Sequence, residues 1–196
     1  MPFFSNSSFE PKRNFRFQVV FPNLSSDISY MVKSVNKPGV SIDATTHRFL
    51  NHQFHFPNIV KWDDVSISFI DSFEPNVGST FYNALLAAGY INPVDGSYKA
   101  GITKSNFVNN GIGDVKIRQL TGTGMQGADL RTETLNPGVS SQTEYGEEWI
   151  LVNSMLTSIK FGEGMSYDSD DLVGVDITVK YDYATYSSQN VPLVGQ

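Results

Sequence analysis

No cysteine occurs among the 196 residues. Thiol nucleophiles, disulfide scaffolds and thiolate-held zinc or iron–sulfur centres are therefore excluded, while the redox compartment stays open. Base is in deficit too: 14 Lys and Arg stand against 20 Asp and Glu, a formal charge of −6. Non-specific affinity for nucleic acid comes from clustered cations, so a phosphate-gripping surface is not expected, although a surface that repels phosphates is compatible with this balance. No window approaches the roughly 18 apolar residues of a membrane-crossing helix. The opening Met1-Pro2-Phe3-Phe4-Ser5-Asn6 lacks the basic segment and apolar stretch of a secretory signal, which predicts a soluble protein made in the cytoplasm. Charged residues make up only 17%, whereas aromatics reach 13% and Ser, Thr, Asn and Gly are plentiful. Such a composition suits a β-rich protein whose neutral polar surfaces can lie against copies of themselves. The length fits a single domain, 1–196, with a core that needs no staple.

Residues 1–13 show no period and read as an N-terminal arm. Phe15, Phe17, Val19 and Phe21 then alternate with Arg16, Gln18 and Val20 as a half-buried strand, stopped by Pro22-Asn23. Ile28, Tyr30 and Val32 predict a second strand running to the turn Asn36-Lys37-Pro38-Gly39, and the two together suggest a hairpin. The polar and aromatic stretch 40–62 reads as a long extended arm, followed by Val65-Ser66-Ile67-Ser68-Phe69 with apolar residues on one face and hydroxyls on the other. Ser79 or Thr80 would cap a helix over Phe81–Ala88, with Phe81, Leu85 and Ala88 on its apolar side and Gly89 closing it. From 91 to 144 the density of Gly, Pro and Asn predicts a long irregular insertion, with a strand beginning at Val115 and Ile117 inside it.

The last third predicts a strand over Glu148–Leu156, a short one at Ile159 and Phe161, and a turn at Ser166–Asp171. The closing strand has Val173, Val175, Ile177, Val179, Tyr181 and Tyr183 on one face, and 185–196 forms a tail. Six alternating apolar residues give that strand a central place. The fold class expected is mainly β: two packed antiparallel sheets forming a sandwich or barrel, with one flanking helix.

Four places in the chain carry residue types that could support chemistry. Gly122-Thr123-Gly124-Met125-Gln126-Gly127, with Glu144 about twenty residues on, matches G-x-G-x-x-G, but no helix is readable after it to hold a pyrophosphate on its amides. His47, His52 and His55 crowd nine residues, yet 52 and 55 point to opposite faces of a strand and no carboxylate stands at ligand spacing. Asp168, Asp170 and Asp171 lack the register of a calcium loop. Glu147 and Glu148 are strand neighbours whose side chains diverge. No G-x-S-x-G elbow or marked triad is present. No catalytic, cofactor or metal site is expected, and the chain does not read as an enzyme.

What remains is architectural. Ser66, Ser68, Asp176, Thr178 and Lys180 lie opposite the apolar faces of their strands, and open sheet edges call for cover. The run Lys33 to Gly39, the arm Phe49-Leu50-Asn51-His52-Gln53, Trp62-Asp63-Asp64-Val65-Ser66-Ile67 and Asp71 resemble the first half of the tail tube proteins of contractile-tailed bacteriophages of the T-even type. Trp149-Ile150-Leu151 through Phe161, Tyr167-Asp168-Ser169-Asp170, and Asp176 through Tyr183 are similar to that family's second half. The likeness spans about 14–90 and 145–184.

It implies a two-sheet barrel with a helix on its flank, six copies to a ring, and rings stacked into a hollow tube that conducts DNA during ejection. It also implies that the sheets of six subunits join around the channel and that the arm at 40–62 reaches the adjoining ring, with Phe49, Asn51, Phe54, Phe56 and Trp62 as contact residues. Ser66, Ser68, Asp176, Thr178 and Lys180 are then the lumen-facing candidates, although alternation alone lets them face the outside equally. The implied partners are other copies of the chain, a tail sheath protein, a baseplate tube initiator, a tape measure protein, and phage DNA that passes without specific binding. The implied location is the virion tail, assembled in the bacterial host cytoplasm. Alternatives are a baseplate tube initiator, the tube of an injection system, and a monomeric β-sandwich that stacks exposed aromatics on carbohydrate.

Overall fold

A computed structural model of the chain describes residues 12–93, 101–120, 145–162, 164–168 and 170–188. Among these residues ten strands follow one another: β1 Phe17–Val20, β2 Val32–Val35, β3 Val40–Phe49, β4 His52–Trp62, β5 Val65–Ile70, β6 Val115–Leu120, β7 Tyr145–Val152, β8 Met155–Lys160, β9 Gly174–Lys180 and β10 Tyr183–Ser188. They form a four-stranded sheet I in the order β1-β6-β7-β10, a four-stranded sheet II in the order β2-β5-β9-β8, and a separate hairpin β3-β4. All pairings are antiparallel. The protein is mainly β, as its composition suggests, but the sheets do not close into a barrel within one chain: sheet I ends at β1 and β10, sheet II at β2 and β8.

The period-2 pattern of β5 and β9 builds the middle of the core. Val65, Ile67 and Phe69 pair across with Val179, Ile177 and Val175, and all six are buried. Burying such side chains contributes roughly 1.5–3 kcal/mol each before conformational entropy is subtracted. The inner face of sheet I meets them with Val19, Val115, Ile117 and Leu151. The helix α1, Val77–Ala87, seals one flank, where Phe81 packs its ring 5.0 Å from Phe69 and 5.8 Å from Phe21.

Several expectations need correcting. Asn76, not Ser79 or Thr80, caps α1: its carboxamide oxygen accepts from the Ser79 amide at 2.6 Å, while the Asp71 carboxylate accepts from the Val77 amide. The hydroxyls of Ser79 and Thr80 turn back to the Asn76 carbonyl instead, so the helix starts one turn earlier. Ile28 and Tyr30 lie in a short 3-10 helix, Ser26–Tyr30, and the first two strands do not form a hairpin: β1 pairs with β6 and β2 with β5. That helix carries the chain from one sheet to the other, burying Ile28 on the way. Phe15 precedes β1 and is exposed.

The strand expected over 148–156 is two strands. Asn153 adopts a left-handed backbone, φ 58, with its amide donating to Asp114 Oδ1 at 2.8 Å, and the chain reverses there. Left-handed geometry is tolerable for Asn because its short polar side chain finds local partners; here it donates to Asp182 Oδ2. The closing strand holds its inner place in sheet II but stops at Lys180, so Val173 and Tyr183 are exposed and only Val175, Ile177, Val179 and Tyr181 are buried. Residues 185–188, expected in a tail, continue β10 on sheet I. The stretch 91–144, expected to be irregular apart from one strand, also contains a second short helix, α2 Lys104–Asn109, which buries Phe107; Ile112 beyond it is buried too.

Candidate assembly surfaces

Strands β3 and β4 form a hairpin of ten and eleven residues, about 33 Å long at the usual rise. Every residue from Val40 to Lys61 is exposed, so the hairpin stands away from the body that carries it. Its root is firmly held. Trp62 packs its ring 6.0 Å from Tyr181, whose hydroxyl donates to the Asp63 carbonyl at 2.8 Å. The Asp63 amide in turn donates to the Gly39 carbonyl at 3.0 Å, joining the two strands where they leave the body. Burial, then the charges of Asp63 and Asp64, push the Tyr181 phenol up to about 12, so it remains a hydrogen-bond donor at neutral pH.

A second anchor lies one loop away. Glu147, on the inner face of β7, accepts hydrogen bonds from both Lys12 and Lys37, which ties the N-terminal segment and the β2–β3 loop to sheet I. Burial alone would push its carboxyl up, but the bonds and charges of Lys37 and Lys12 outweigh that and hold it below the ordinary carboxylate value. Glu148 points the other way, as strand alternation requires, and meets Arg118 at 2.5 Å with both side chains almost wholly buried.

The register of the hairpin slips by one residue between Ile42 and Ala44. Ile42 pairs with Val60 but Ala44 with Pro57, so Asp43 opposes both Asn58 and Ile59, a β-bulge. On the root side of it, Val40, Ile42, Val60 and Trp62 share a face, with the Asp43–Lys61 ion pair on the other. On the tip side the apolar residues change faces. Phe49, Phe54 and Phe56 line up with Thr45, His47 and His52, while Ala44, Thr46, Arg48, Gln53 and His55 lie behind them. The arm therefore presents an apolar face twice, in opposite directions. Its tip is a two-residue loop, Leu50-Asn51, in which the exposed Leu50 holds φ 53, a left-handed conformation costly for a side chain of that size.

Of the residues expected to touch another ring, Phe49, Asn51, Phe54 and Phe56 sit on the outer half of the arm, whereas Trp62 is partly buried at its root against the core. Trp62 serves as the anchor of the arm.

The five residues expected to line a passage come together on the outer face of sheet II. Ser66 pairs across with Thr178 and Ser68 with Asp176, on the two inner strands, while Lys180 at the end of β9 lies 3.6 Å from Asp64. Ser34, Ser158 and Lys160 extend the same polar face toward the edges β2 and β8. Sequence reading missed these three because β2 and β8 carry weak alternation.

The remaining chemical candidates stay apart. His47 and His52 occupy one face of the arm, and His55 the other, where its ring lies 3.1 Å from the Thr46 hydroxyl. Among the described residues no three His, Asp or Glu side chains gather as a metal would require. Asp168, Asp170 and Asp171 lie on an exposed turn. The glycine run 122–127 and Glu144 fall outside the described residues.

No protein-family model matches the chain, and no curated protein sequence does either. Solved structures do. The chain is similar to the anti-feeding prophage cap, the AFP tube terminating cap, over 96% of its own length and 99% of that chain, with 15% identity and a TM-score of 0.59. It is similar to a chain of the PVC sheath–tube complex of an extracellular contractile injection system in the extended state, over 92% and 94% of the two lengths, with 14% identity and a TM-score of 0.58. A chain of the anti-feeding prophage baseplate, 6-fold symmetrised, matches over 93% and 99%, with 9% identity and a TM-score of 0.54. At these identities the likeness is one of fold. The chain has the fold of tube and tube-cap components of contractile injection systems.

Proposed function

We propose that this chain is a structural subunit of the inner tube of a contractile tail. Six copies join side by side through the free edges of their sheets, the rings stack through the arms, and the bore conducts DNA out of the particle. The observation that carries the reading is the arm itself: an isolated two-stranded hairpin is marginal in water, and this one carries apolar faces that none of the described residues covers. The four strands that end the sheets among the described residues, β1, β10, β2 and β8, supply the lateral contacts, since pairing between neighbours is one way to remove an edge. A solved neighbour taken from a 6-fold symmetrised baseplate supports the ring size.

The polar outer face of sheet II is the face we assign to the bore. Small hydroxyls with Asp176 and Lys180 give DNA phosphates no cationic cluster to hold. At physiological salt a wall charge acts over about 8 Å, so these lining residues rather than the net charge govern passage. The outer surface of the ring then meets a tail sheath, and the first and last rings meet a baseplate initiator, the tape measure protein or a terminator; the sheath–tube neighbour supports the first of these. The particle assembles in the host cytoplasm and the protein ends in the virion. Among the described residues no side-chain constellation favours catalysis.

The likeness to a tube-terminating cap supports a second reading, a terminal ring that ends the polymer. Negative-stain microscopy of the concentrated protein separates the two: a tube subunit gives hollow rods of stacked rings, a terminator gives single rings, and a persistent monomer contradicts both.

A further inference from the structure

All three histidines of the chain sit on the arm, and strand alternation divides them unequally between its faces. His47 stands opposite Phe54 and His52 opposite Phe49, while Thr45 opposite Phe56 completes that face. Directly opposed residues of an antiparallel pair point to the same side, with Cβ atoms about 5 Å apart, so each of the two imidazoles shares its face with a phenylalanine. His55 lies on the reverse face with Arg48, its ring 3.1 Å from the Thr46 hydroxyl.

The arm brings no acid to balance that face. From Ala44 to Trp62 it contains no Asp or Glu, and the next carboxylate along the strand, Asp43, is engaged by Lys61 at the bulge. The fixed cations of the same stretch are Lys61 and Arg48, and Arg48 lies behind. Every residue from Val40 to Lys61 is exposed, so among the described residues no other element packs against the face and carries a titratable group to it.

Imidazole is the side chain that changes charge between pH 5 and 8. Neutral, it is an aromatic ring that can be buried beside phenylalanine; protonated, it carries a charge that an apolar contact without a counter-ion accepts only at a large cost. We infer that His47 and His52 make the contact of the arm pH-dependent: the phenylalanine face docks while both rings are neutral and is released when they are protonated. The inference rests on the stacked-ring reading, in which another copy covers that face, and adds its regulation. The sign follows from linkage. Where docking excludes the proton from a ring, the contact is fully present above the midpoint of that ring in the free chain and weakens about tenfold for each pH unit below it. Two such rings weaken it about a hundredfold per unit.

The division of the histidines between the two faces supplies the control. The critical concentration for rods of the full-length chain, scored by negative-stain microscopy, is measured at about pH 8 and about pH 5.5, where ordinary carboxylates remain ionised. The wild type should show a rise of about a hundredfold at the lower pH. His55→Gln, on the reverse face, should show the same rise. In the double variant His47→Gln and His52→Gln the ratio of the two concentrations should fall to near one, whatever its value at the higher pH. A wild-type ratio near one, rods favoured at the lower pH, a double variant that keeps the wild-type ratio, or a His55→Gln variant that loses it overturns the inference and leaves the stacked rings standing. Absence of rods at both pH values overturns the inference and the stacked-ring reading together.

Discussion

Replacing Phe54 with Asp should leave the fold intact and abolish polymerisation. Phe54 is 50% exposed and Phe56 57% exposed. About half of a roughly 200 Å² side chain is therefore available for burial in a docked arm, worth about 2.5 kcal/mol per copy at about 25 cal/mol per Å². With six arms to a ring, as proposed, this multiplies to about 15 kcal/mol, before the added cost of burying a carboxylate at an apolar contact. In the free chain the same residue touches little, and surface replacements of this kind change stability by about 0.5 kcal/mol or less. Thermal unfolding followed by circular dichroism should accordingly be close to wild type, while sedimentation velocity shows only the 21.7 kDa monomer or a single ring at concentrations where the wild type forms rods. Rods of normal length at the normal critical concentration would refute the reasoning, since no arm-mediated contact could then be supplying this energy. A variant that unfolds would refute it differently, by showing that the arm belongs to the core.

Leu50→Gly should relax the left-handed tip by about 1 kcal/mol net of the entropy glycine adds to the unfolded chain, slowing amide exchange in the arm about fivefold; unchanged or faster exchange contradicts the strain. Glu148→Ala removes the buried carboxylate that accepts from Arg118 and should cost about 1–3 kcal/mol in urea unfolding, part of it recovered by the pair Arg118→Met and Glu148→Leu; an unchanged stability would show that the pair is solvated. Glu147 has its folded carboxyl held below the ordinary value of 4.5, so the unfolded chain binds more protons in the window between. Stability from this group is present above that ordinary value and is lost as pH falls through the lower folded one. Glu147→Gln should therefore flatten the acid limb of stability below pH 4.5; an unaltered acid limb contradicts the clamp by Lys12 and Lys37.

Periodicity shows which side of a strand is apolar, and that much of the fold was legible. The alternation in β5 and β9 located the core, and the polar positions between, Ser66, Ser68, Asp176 and Thr178, fall on one outer face because the two strands are paired in register. Periodicity does not say which strand lies alongside. The strand at Phe17 pairs with one more than ninety residues later, across a segment with no local signal for it, and the nearby strand at Val32 belongs to the other sheet. The reversal at Asn153 and the cap at Asn76 depend on acceptors from Asp114 and Asp71 and on a carboxamide, each a tertiary or turn-specific bond that composition does not announce. The arm shows the limit most clearly. In sequence, Phe54, Phe56, Val60 and Trp62 all fall on even positions and read as one apolar face; a single extra residue opposite Asp43 turns the outer pair over. The acidic turn at 168–171 is exposed, and so are Tyr167, Met165 and Leu172 around it.

Cryo-electron microscopy of the polymer grown from the purified full-length chain tests the central claim most directly. The account predicts hollow rods of six-fold rings, neighbouring copies continuous through their outer strands, Ser66, Ser68, Asp176 and Thr178 turned to the bore, and each arm inserted in the next ring. Particles in which every copy remains solitary, or rings in which the face of Val65, Ile67 and Phe69 borders the opening, would contradict it.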